Sequence, residues 1–312
     1  MRSLITGAGG FIGSFLVEHL AQLGHEVFGV SRGKSSHPSL LEQRGLLTAF
    51  ALDIADTDSL KSILVDNRVE LVFHLAGVRS SDSGVYRTNV FGTHSLLEAV
   101  RLSGRSIATV VVGSCAEYGE AGNDRTAIDE DSLLKPVTAY GVSKAAADLM
   151  AYQVFVTTGL PVYRARLFNV IGPRQSDAFF CSTVARQLAE IERGTREPIL
   201  KLGSLSSHRD FLDVLDAVTG LASIALKGQP GDAYNLCSGR ATSVKFVVEY
   251  MAQLVPADVR VESSSAPASR ADVSYQVGSY AKVRARTGWE PTIDLEKSLR
   301  DIVDYWRTQA VC

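Results

Sequence analysis

Tyr140 and Lys144 stand four residues apart in the run Tyr140-Gly141-Val142-Ser143-Lys144. On a helix that spacing puts both side chains on one face, within reach of each other. A free phenol has a pKa of roughly 10 and is a poor acid–base catalyst at neutral pH. A fixed ammonium nearby favours the phenolate and draws that value toward the working range. Such a pair can exchange a proton with the oxygen of an alcohol or a ketone. The opening run Thr6-Gly7-Ala8-Gly9-Gly10-Phe11-Ile12-Gly13 supplies the other half of that chemistry. Gly7, Gly10 and Gly13 follow a strand-like stretch and open a helix-like one. One glycine permits a tight turn, another lets the backbone approach a pyrophosphate, and the last lets helix and strand pack closely. The phosphate charge then meets the positive end of the helix dipole, with Phe11 and Ile12 in the same binding turn. Together the two runs imply a nicotinamide dinucleotide site beside a proton donor for a carbon–oxygen bond.

The end of the second strand separates the two nicotinamide dinucleotides. An NAD site tends to carry Asp or Glu there, accepting from the ribose 2′-hydroxyl. This chain reads Val30-Ser31-Arg32-Gly33-Lys34, with no acid and two cations. Arg32 suits a 2′-phosphate, with Ser31 or Ser35 adding hydrogen bonds. NADP(H) is therefore favoured and NAD(H) stays open; a solvated basic loop is the plainer alternative. Asp53, followed by Ile54, is placed to accept the adenine amino group. Leu75, Ala76 and Gly77 would let the backbone pass the cofactor, and Asn89 falls where a side chain steadies the main chain around it. A turn or capping role competes for each.

The elements that must position these residues are visible as periodicity. Short apolar runs at 4–6, 26–30, 48–52, 71–75, 109–113 and 162–167 alternate with helical patterns. The clearest helix spans 11–23, with Ile12, Leu16, Leu20 and Leu23 as one stripe. The alternation predicts an α/β, Rossmann-type doubly wound parallel sheet with helices on both faces. Ligands then gather beyond the carboxyl ends of the strands, where every polar motif falls. After Asn169 the alternation loosens. A helix is expected over 179–193, a loop over 256–270, and an amphipathic helix near 295–306. A dinucleotide-binding domain is thus expected over 1–168 and a smaller substrate-binding lobe over 169–312, some segments of which return to the sheet.

The chain has 312 residues, 46% hydrophobic content and a net charge of −2, which fits a soluble globular protein. Nothing in that balance calls for nucleic acid or an anionic membrane as partner. The first apolar run is too short for a signal peptide, and no stretch nears the roughly 20 apolar residues that span a bilayer. A cytoplasmic location is expected. Cys115, Cys181, Cys237 and Cys312 are scattered, without a CxxC pair or a histidine cluster. That usage fits a reducing compartment and argues against a metal site. Cys115 beside Ser114 invites a nucleophile reading; a small buried residue at a strand end is simpler.

These pieces, in this order, resemble the extended short-chain dehydrogenase/reductases, in the branch that modifies nucleotide sugars. The landmarks run nearly end to end: TGAGGFIG at 6–13, LDI at 52–54, HLAG at 74–77, TNVFGT at 88–93, GSCAEYG at 113–119, YGVSK at 140–144, RLFNVIGPRQ at 166–175, RDFLDV at 209–214 and YNLCSG at 234–239. The resemblance implies a triad of Ser114, Tyr140 and Lys144. Tyr140 would exchange a proton with the sugar oxygen and Ser114 would hydrogen-bond that oxygen. Lys144 would hold the nicotinamide ribose and lower the Tyr140 pKa. Glu117 enters as a proton-handling or sugar-contacting acid, or else as a solvated carboxylate; Tyr118 reads as packing. Asn169, Arg174, Arg209 and Arg270 are implied at the nucleotide diphosphate, whereas an exposed helix position explains Arg186 as well. The helices near 90–102 and 140–156 carry apolar positions beyond one core face. In relatives such helices pair into an intermolecular four-helix bundle, so a homodimer is expected.

Three sister chemistries share this pattern: 4-epimerisation, 4,6-dehydration and 4-keto reduction. Dehydratases of the family carry an acid two residues before the tyrosine of the strand-end motif; here that position is Ala116. The stretch 168–239 looks most like reductases of a GDP-linked 4-keto-6-deoxyhexose. The expectation is a 4-ketoreductase, with a 4-epimerase retaining NAD as the alternative. A catalytically silent cofactor-sensing or scaffold protein is the reading from another class. Only eleven residues separate Gly77 from Asn89, fewer than the family commonly shows, which leaves the base and the sugar open.

Overall fold

The computed structural model describes residues 1–32, 41–79, 84–122, 124–263 and 273–309. In chain order, the first half runs β1 (Arg2–Thr6), α1 (Phe11–Gln22), β2 (Glu26–Ser31), β3 (Thr48–Ala51), α2 (Thr57–Asp66) and β4 (Leu71–His74). A π-helical turn (Arg87–Phe91) then leads into α3 (Gly92–Leu102), β5 (Ala108–Ser114), α4 (Ala139–Thr158) and β6 (Val162–Leu167). All six strands pair in parallel, and β11 (Ala233–Leu236) joins them from the second half. The strand order is β11-β6-β5-β4-β1-β2-β3, a doubly wound Rossmann-type sheet. Its order reverses between β1 and β4, which opens the crevice where ligands of such sheets bind.

Register explains why the motifs converge. Thr6 pairs with Val30 on one side and His74 on the other, and Ser114 pairs with Leu167. Every strand therefore ends at one edge, and each motif begins one or two residues beyond. Buried side chains cover both faces. Leu16, Val17 and Leu20 of α1 pack with Phe73, Val110 and Leu221 on one face, and Leu60, Leu64, Leu96 and Val100 with Leu4 and Val72 on the other. The stripe expected on α1 ends early: Leu23 lies at the helix terminus and is 53% exposed, while Val17 takes its place in the core.

The second half adds β7 (Asn169–Ile171), α5 (Phe180–Glu192), β8 (Ile199–Leu202), β9 (His208–Arg209), β10 (Phe211–Asp213) and α6 (Val214–Lys227) before β11. After it come β12 (Thr242–Ser243), α7 (Val244–Ala252), β13 (Arg260–Ser263), β14 (Tyr275–Gln276), α8 (Ala281–Thr287) and α9 (Leu295–Thr308). Leu188, Phe211, Val248, Met251 and Ile302 form a separate core here. The loop expected over 256–270 contains a strand: Arg260–Ser263 pairs in parallel with β8. Its composition hid it because only Val261 of its four residues is apolar, as suits a largely exposed edge.

Asp210 ties this half to the sheet edge. Its carboxylate, wholly buried, accepts from Ser238 N at 2.7 Å, Ser238 Oγ at 2.7 Å, Gly239 N at 2.9 Å and Gly278 N at 3.2 Å. Its carbonyl accepts from Asn169 Nδ2 at 2.9 Å. Replacing Asp210 with Ala strands several buried donors at about 1–3 kcal/mol each, not additively. We expect Asp210→Ala to lose roughly 3–5 kcal/mol in urea unfolding, the range for a broken buried network; a loss below about 1 kcal/mol would contradict this account.

Candidate active site

Tyr140 starts α4, capped by the Thr138 side chain, which accepts from Gly141 N at 3.0 Å. Gly141 is the residue that brings this helix in. A Cβ there would fall 2.4 Å from the Ala116 carbonyl oxygen, so only glycine lets Tyr140 sit beside the turn that follows β5. Ser114 ends that strand and serves as N-cap of the turn, its Oγ accepting from Ala116 N at 3.2 Å. Its hydroxyl is also the hydrogen-bond partner of the Tyr140 phenol.

Lys144 lies one turn further along the same face. Nζ donates to the Val112 carbonyl at 2.8 Å and lies 3.3 Å from where a Gly77 Cβ would be. Asn89, in the π-helical turn, clamps the strand-end backbone: Oδ1 accepts from Val78 N at 2.9 Å, and Nδ2 donates to Val78 O and Ser143 Oγ. His74 bridges Thr6 Oγ1 and Thr93 Oγ1. Burial, followed by the Lys144 charge, pulls that imidazole down to about 3. It is a neutral tie between β1, β4 and α3.

The electrostatics differ from the simple picture of an amine acidifying a phenol. Burial pushes Tyr140 up to about 12, and the Ser114 hydrogen bond only partly offsets it. Arg79 adds a smaller downward pull. Lys144 is committed to Val112 beneath Gly77, and burial draws its own pKa down to about 8, with Glu117 opposing. The phenol is therefore a protonated group at neutral pH, ready to donate. Nothing in the sequence pattern marks Arg79. Its guanidinium stacks 5.6 Å from the centroid of Phe179, a contact across 100 residues that no local pattern encodes.

The glycine-rich turn fits a pyrophosphate on its own geometry. Gly7 holds φ +75°, and a Cβ there would meet Ala76 N at 2.9 Å. Gly10 is the N-cap of α1 and offers no side-chain acceptor, and no acid occupies the first turn. The unpaired N–H groups at this helix end thus remain for an anion. Gly13 is there for packing, since its Cβ would fall 2.2 Å from Gly7 O. Phe11 and Ile12 are half-buried in the first turn. At the second strand end, Ser31 is half-buried and Arg32 exposed; Ser35 lies outside the described residues. Asp53 is exposed, accepts from Ala55 N at 3.0 Å and pairs with Arg87 at 3.1 Å, and Ile54 beside it is buried. Leu75 and Ala76 are half-buried and Gly77 is exposed.

Other expected residues separate. Glu117 turns inward, not toward the crevice: it is wholly buried, and Oε1 accepts from Ser114 N at 2.6 Å. It is neither solvated nor placed to touch a sugar. Arg174 also turns away. It folds onto α1, 4.3 Å from the Phe15 centroid and 3.2 Å from Glu18, because its backbone holds φ +67°. Asn169 spends its amide on Asp210 O. Arg209 donates to His208 O at 2.9 Å and lies close enough to Cys115 to act on its thiol. Arg186 is ion-paired with Glu190 and Asp177. Arg270 lies outside the described residues. Cys115 is buried, donates to Gln276 Oε1 at 3.2 Å and is pushed up by burial to about 12, so it is an inert thiol. Tyr118 is buried, its hydroxyl donating to Asn235 Oδ1 at 2.7 Å.

Residues 4–302 match the family described as GDP-mannose 4,6 dehydratase. The GDP-6-deoxy-D-mannose reductase of Pseudomonas aeruginosa is 31% identical over 315 residues, 99% of this chain and 98% of that protein. A UDP-glucose 4-epimerase of Mycolicibacterium smegmatis is 28% identical over 319 residues, 99% of this chain and all of that one. The solved structure of RMD from Pseudomonas aeruginosa complexed with NADPH superposes with a TM-score of 0.85 at 29% identity, covering 98% of this chain and 99% of that one.

Two measurements test the site. Tyr140→Phe should lower kcat by roughly 10²–10⁴, the worth of a positioned proton donor, with cofactor affinity unchanged. Lys144 loses its proton as pH rises through about 8, so kcat/KM of the wild type should fall on the alkaline side near that value. The limb should persist in Glu117→Gln; its disappearance there would move the assignment to the carboxylate.

Proposed function

The chain belongs to the GDP-mannose 4,6 dehydratase family, a branch of the extended short-chain dehydrogenase/reductases, and from that premise we propose that it reduces the 4-keto group of a nucleotide-linked 6-deoxyhexose. It is a nucleotide-sugar oxidoreductase using a nicotinamide cofactor, and the reading as a ketoreductase rests on one observation. The nearest acid of the strand-end motif, Glu117, is wholly buried and faces the interior, where it accepts from Ser114 N. Dehydration needs a base to remove a proton next to the ketone and an acid to expel hydroxide. The position for such an acid is Ala116. Ketone reduction needs only a hydride and a proton for the nascent alkoxide.

The bound dihydronicotinamide supplies the hydride. Tyr140 delivers its phenolic proton to the sugar oxygen as charge develops there, and Ser114 holds that oxygen by a hydrogen bond. Lys144, protonated below about pH 8, holds the nicotinamide ribose while Asn89 fixes the backbone at Val78. Gly7, Gly10 and Gly13 seat the pyrophosphate, and Ile54, Leu75, Ala76 and Gly77 line the cofactor's path. Asp53 already serves Ala55 and Arg87, so its bond to the adenine amino group would be an added one. Residues 1–168 act as the cofactor half and 169–312 chiefly as the sugar-nucleotide lobe, with Arg209 and Arg270 for the diphosphate. NADPH is the preferred donor because Arg32, exposed after β2, meets a 2′-phosphate where an acid would repel it.

A 4-epimerase is the second reading, favoured by the match to the Mycolicibacterium enzyme: the same phenol can take back the proton it gives. The protein, NADPH and a panel of GDP-, dTDP-, UDP- and CDP-linked 4-keto-6-deoxyhexoses separate the two. Stoichiometric NADPH oxidation is expected; interconversion of 4-hydroxy sugars without net oxidation would select the epimerase. Binding without turnover would mark a cofactor sensor and sink both. Arg32→Ala should raise the KM for NADPH roughly 10- to 100-fold, the worth of a charged hydrogen bond, and leave that for NADH unchanged.

The outer faces of α3 and α4 support a homodimer. Val142, Leu149, Tyr152 and Val156 on α4 are 42%, 56%, 46% and 60% exposed, at the seven-, three- and four-residue spacings of a helix–helix seam. Phe91 and Leu102 extend the patch along the adjoining helix. Two copies joined here would pair four helices. Sedimentation velocity at micromolar concentration should give the mass of two chains, and Leu149→Glu with Val156→Glu should give one. No helix among the described residues is long and apolar enough to cross a membrane.

A further inference from the structure

Behind the crevice lies a chain of buried ions that the proposed reaction leaves unused. Tyr140, Lys144 and Asp148 occupy successive turns of one face of α4. Asp148 is buried and accepts from Arg166 Nη2 at 3.0 Å and Arg166 Nε at 3.2 Å, and from Arg164 Nη1 at 2.7 Å. Arg166, buried on β6, lies 3.3 Å from Glu117 Oε2 and donates to Tyr118 Oη at 2.9 Å. Glu117 Oε1 then accepts from Ser114 N at 2.6 Å. The path thus starts on the helix that carries the phenol and ends on the backbone of the serine that faces it.

Two glycines make room for it. A Cβ on Gly113 would fall 2.3 Å from Glu117 Oε1, and Gly141 lets α4 approach the same turn. Burying such ions is costly unless they are paired, and each of these has a partner of opposite charge. Burial and the Asp148 charge push the Glu117 carboxyl up, while Arg166, the Ser114 amide and Lys144 pull it back. Glu117 Oε2 has no hydrogen-bond partner, so the carboxylate has one donor, Ser114 N, beyond its ion pair with Arg166.

We propose that Glu117 is a positioning residue: through its bond to Ser114 N, and braced by Arg166 and Asp148, it sets the Ser114 hydroxyl against the Tyr140 phenol. It touches neither substrate nor cofactor and acts only through Ser114. The inference rests on the reading of Ser114 and Tyr140 as the groups that meet the sugar oxygen.

The test is a cycle of Ser114→Ala, Glu117→Ala and the double variant, with Glu117→Gln alongside, assayed with NADPH and the keto-sugar the wild type accepts. Glu117→Ala should lower kcat about 30- to 100-fold, as displacements near 1 Å do, with KM for sugar and cofactor within about 3-fold. Glu117→Gln keeps an acceptor for Ser114 N and should recover most of that loss. In the Ser114→Ala background the Glu117→Ala step should cost less than about 3-fold, because sites acting as one unit are not additive. Additive losses, or a Gln variant as slow as Ala, would overturn the proposal. Should Glu117→Ala not fold, Glu117→Asp replaces it: one methylene shorter, it withdraws the acceptor and should show the same loss of kcat. A Ser114→Ala variant as fast as wild type would instead overturn the underlying reading of the site, whatever Glu117 does.

Discussion

The constraint on which the site depends is the approach of α4 to the turn after β5. Tyr140 and Ser114 come from elements 26 positions apart in sequence, and the space between them admits no Cβ at residue 141. Any larger residue there pushes the helix outward and takes the phenol with it. The sheet makes this approach reproducible. Because β5 and β6 are paired in register up to Ser114 and Leu167, the turn emerges at a fixed height, and Lys144 is pinned to the β5 backbone at Val112. Two independent ties, one covalent through α4 and one through the ions at Arg166, then bracket the same pair of hydroxyls.

Burial governs the chemistry of those hydroxyls more than charge does. A phenol near a lysine is easily pictured as a phenolate, but the desolvation cost at Tyr140 outweighs every favourable charge, and the lysine's own charge is weakened by the same burial. The result is a neutral donor facing a crevice rather than an anion. That state suits addition of a hydride to a carbonyl, where the oxygen gains charge during the reaction and needs a proton as it does so. A cofactor and a sugar would dry the crevice further and push in the same direction.

Much of this was legible in the chain before any coordinates. Strands and their carboxyl ends followed from apolar runs, the glycine turn, Tyr140 and Lys144 from spacing, and Ser114 from the family resemblance. What spacing could not supply was the direction of a side chain. Glu117 stood beside the triad in sequence, yet its three-residue distance from Ser114 is also that of a capping box, and the carboxylate took the backbone amide instead of the crevice. Arg174 resembled a phosphate ligand, but a left-handed backbone and Glu18 turned it onto α1. Asn89 holds the backbone at Val78, but the π-helical turn that aims it leaves no mark on a pattern of apolar residues. Arg79 and Phe179 meet across 100 residues of sequence, a contact that no local pattern encodes.

The sister reactions of this scaffold differ in which acids face the sugar, and one residue's register decides that here. At 116 the chain carries Ala, whose carbonyl meets Gly141 of α4, while the acid at 117 points into the β5–β6 interior toward Arg166. In the proposed reading the carboxyl at 117 is a brace and not a reagent. The brace is stable only because Arg166 and Asp148 are already buried beside it, and breaking such a network leaves an uncompensated charge. On the proposed reading, an acid gained at residue 116 would add a second carboxyl two residues from Ser114 while Glu117 stayed paired with Arg166.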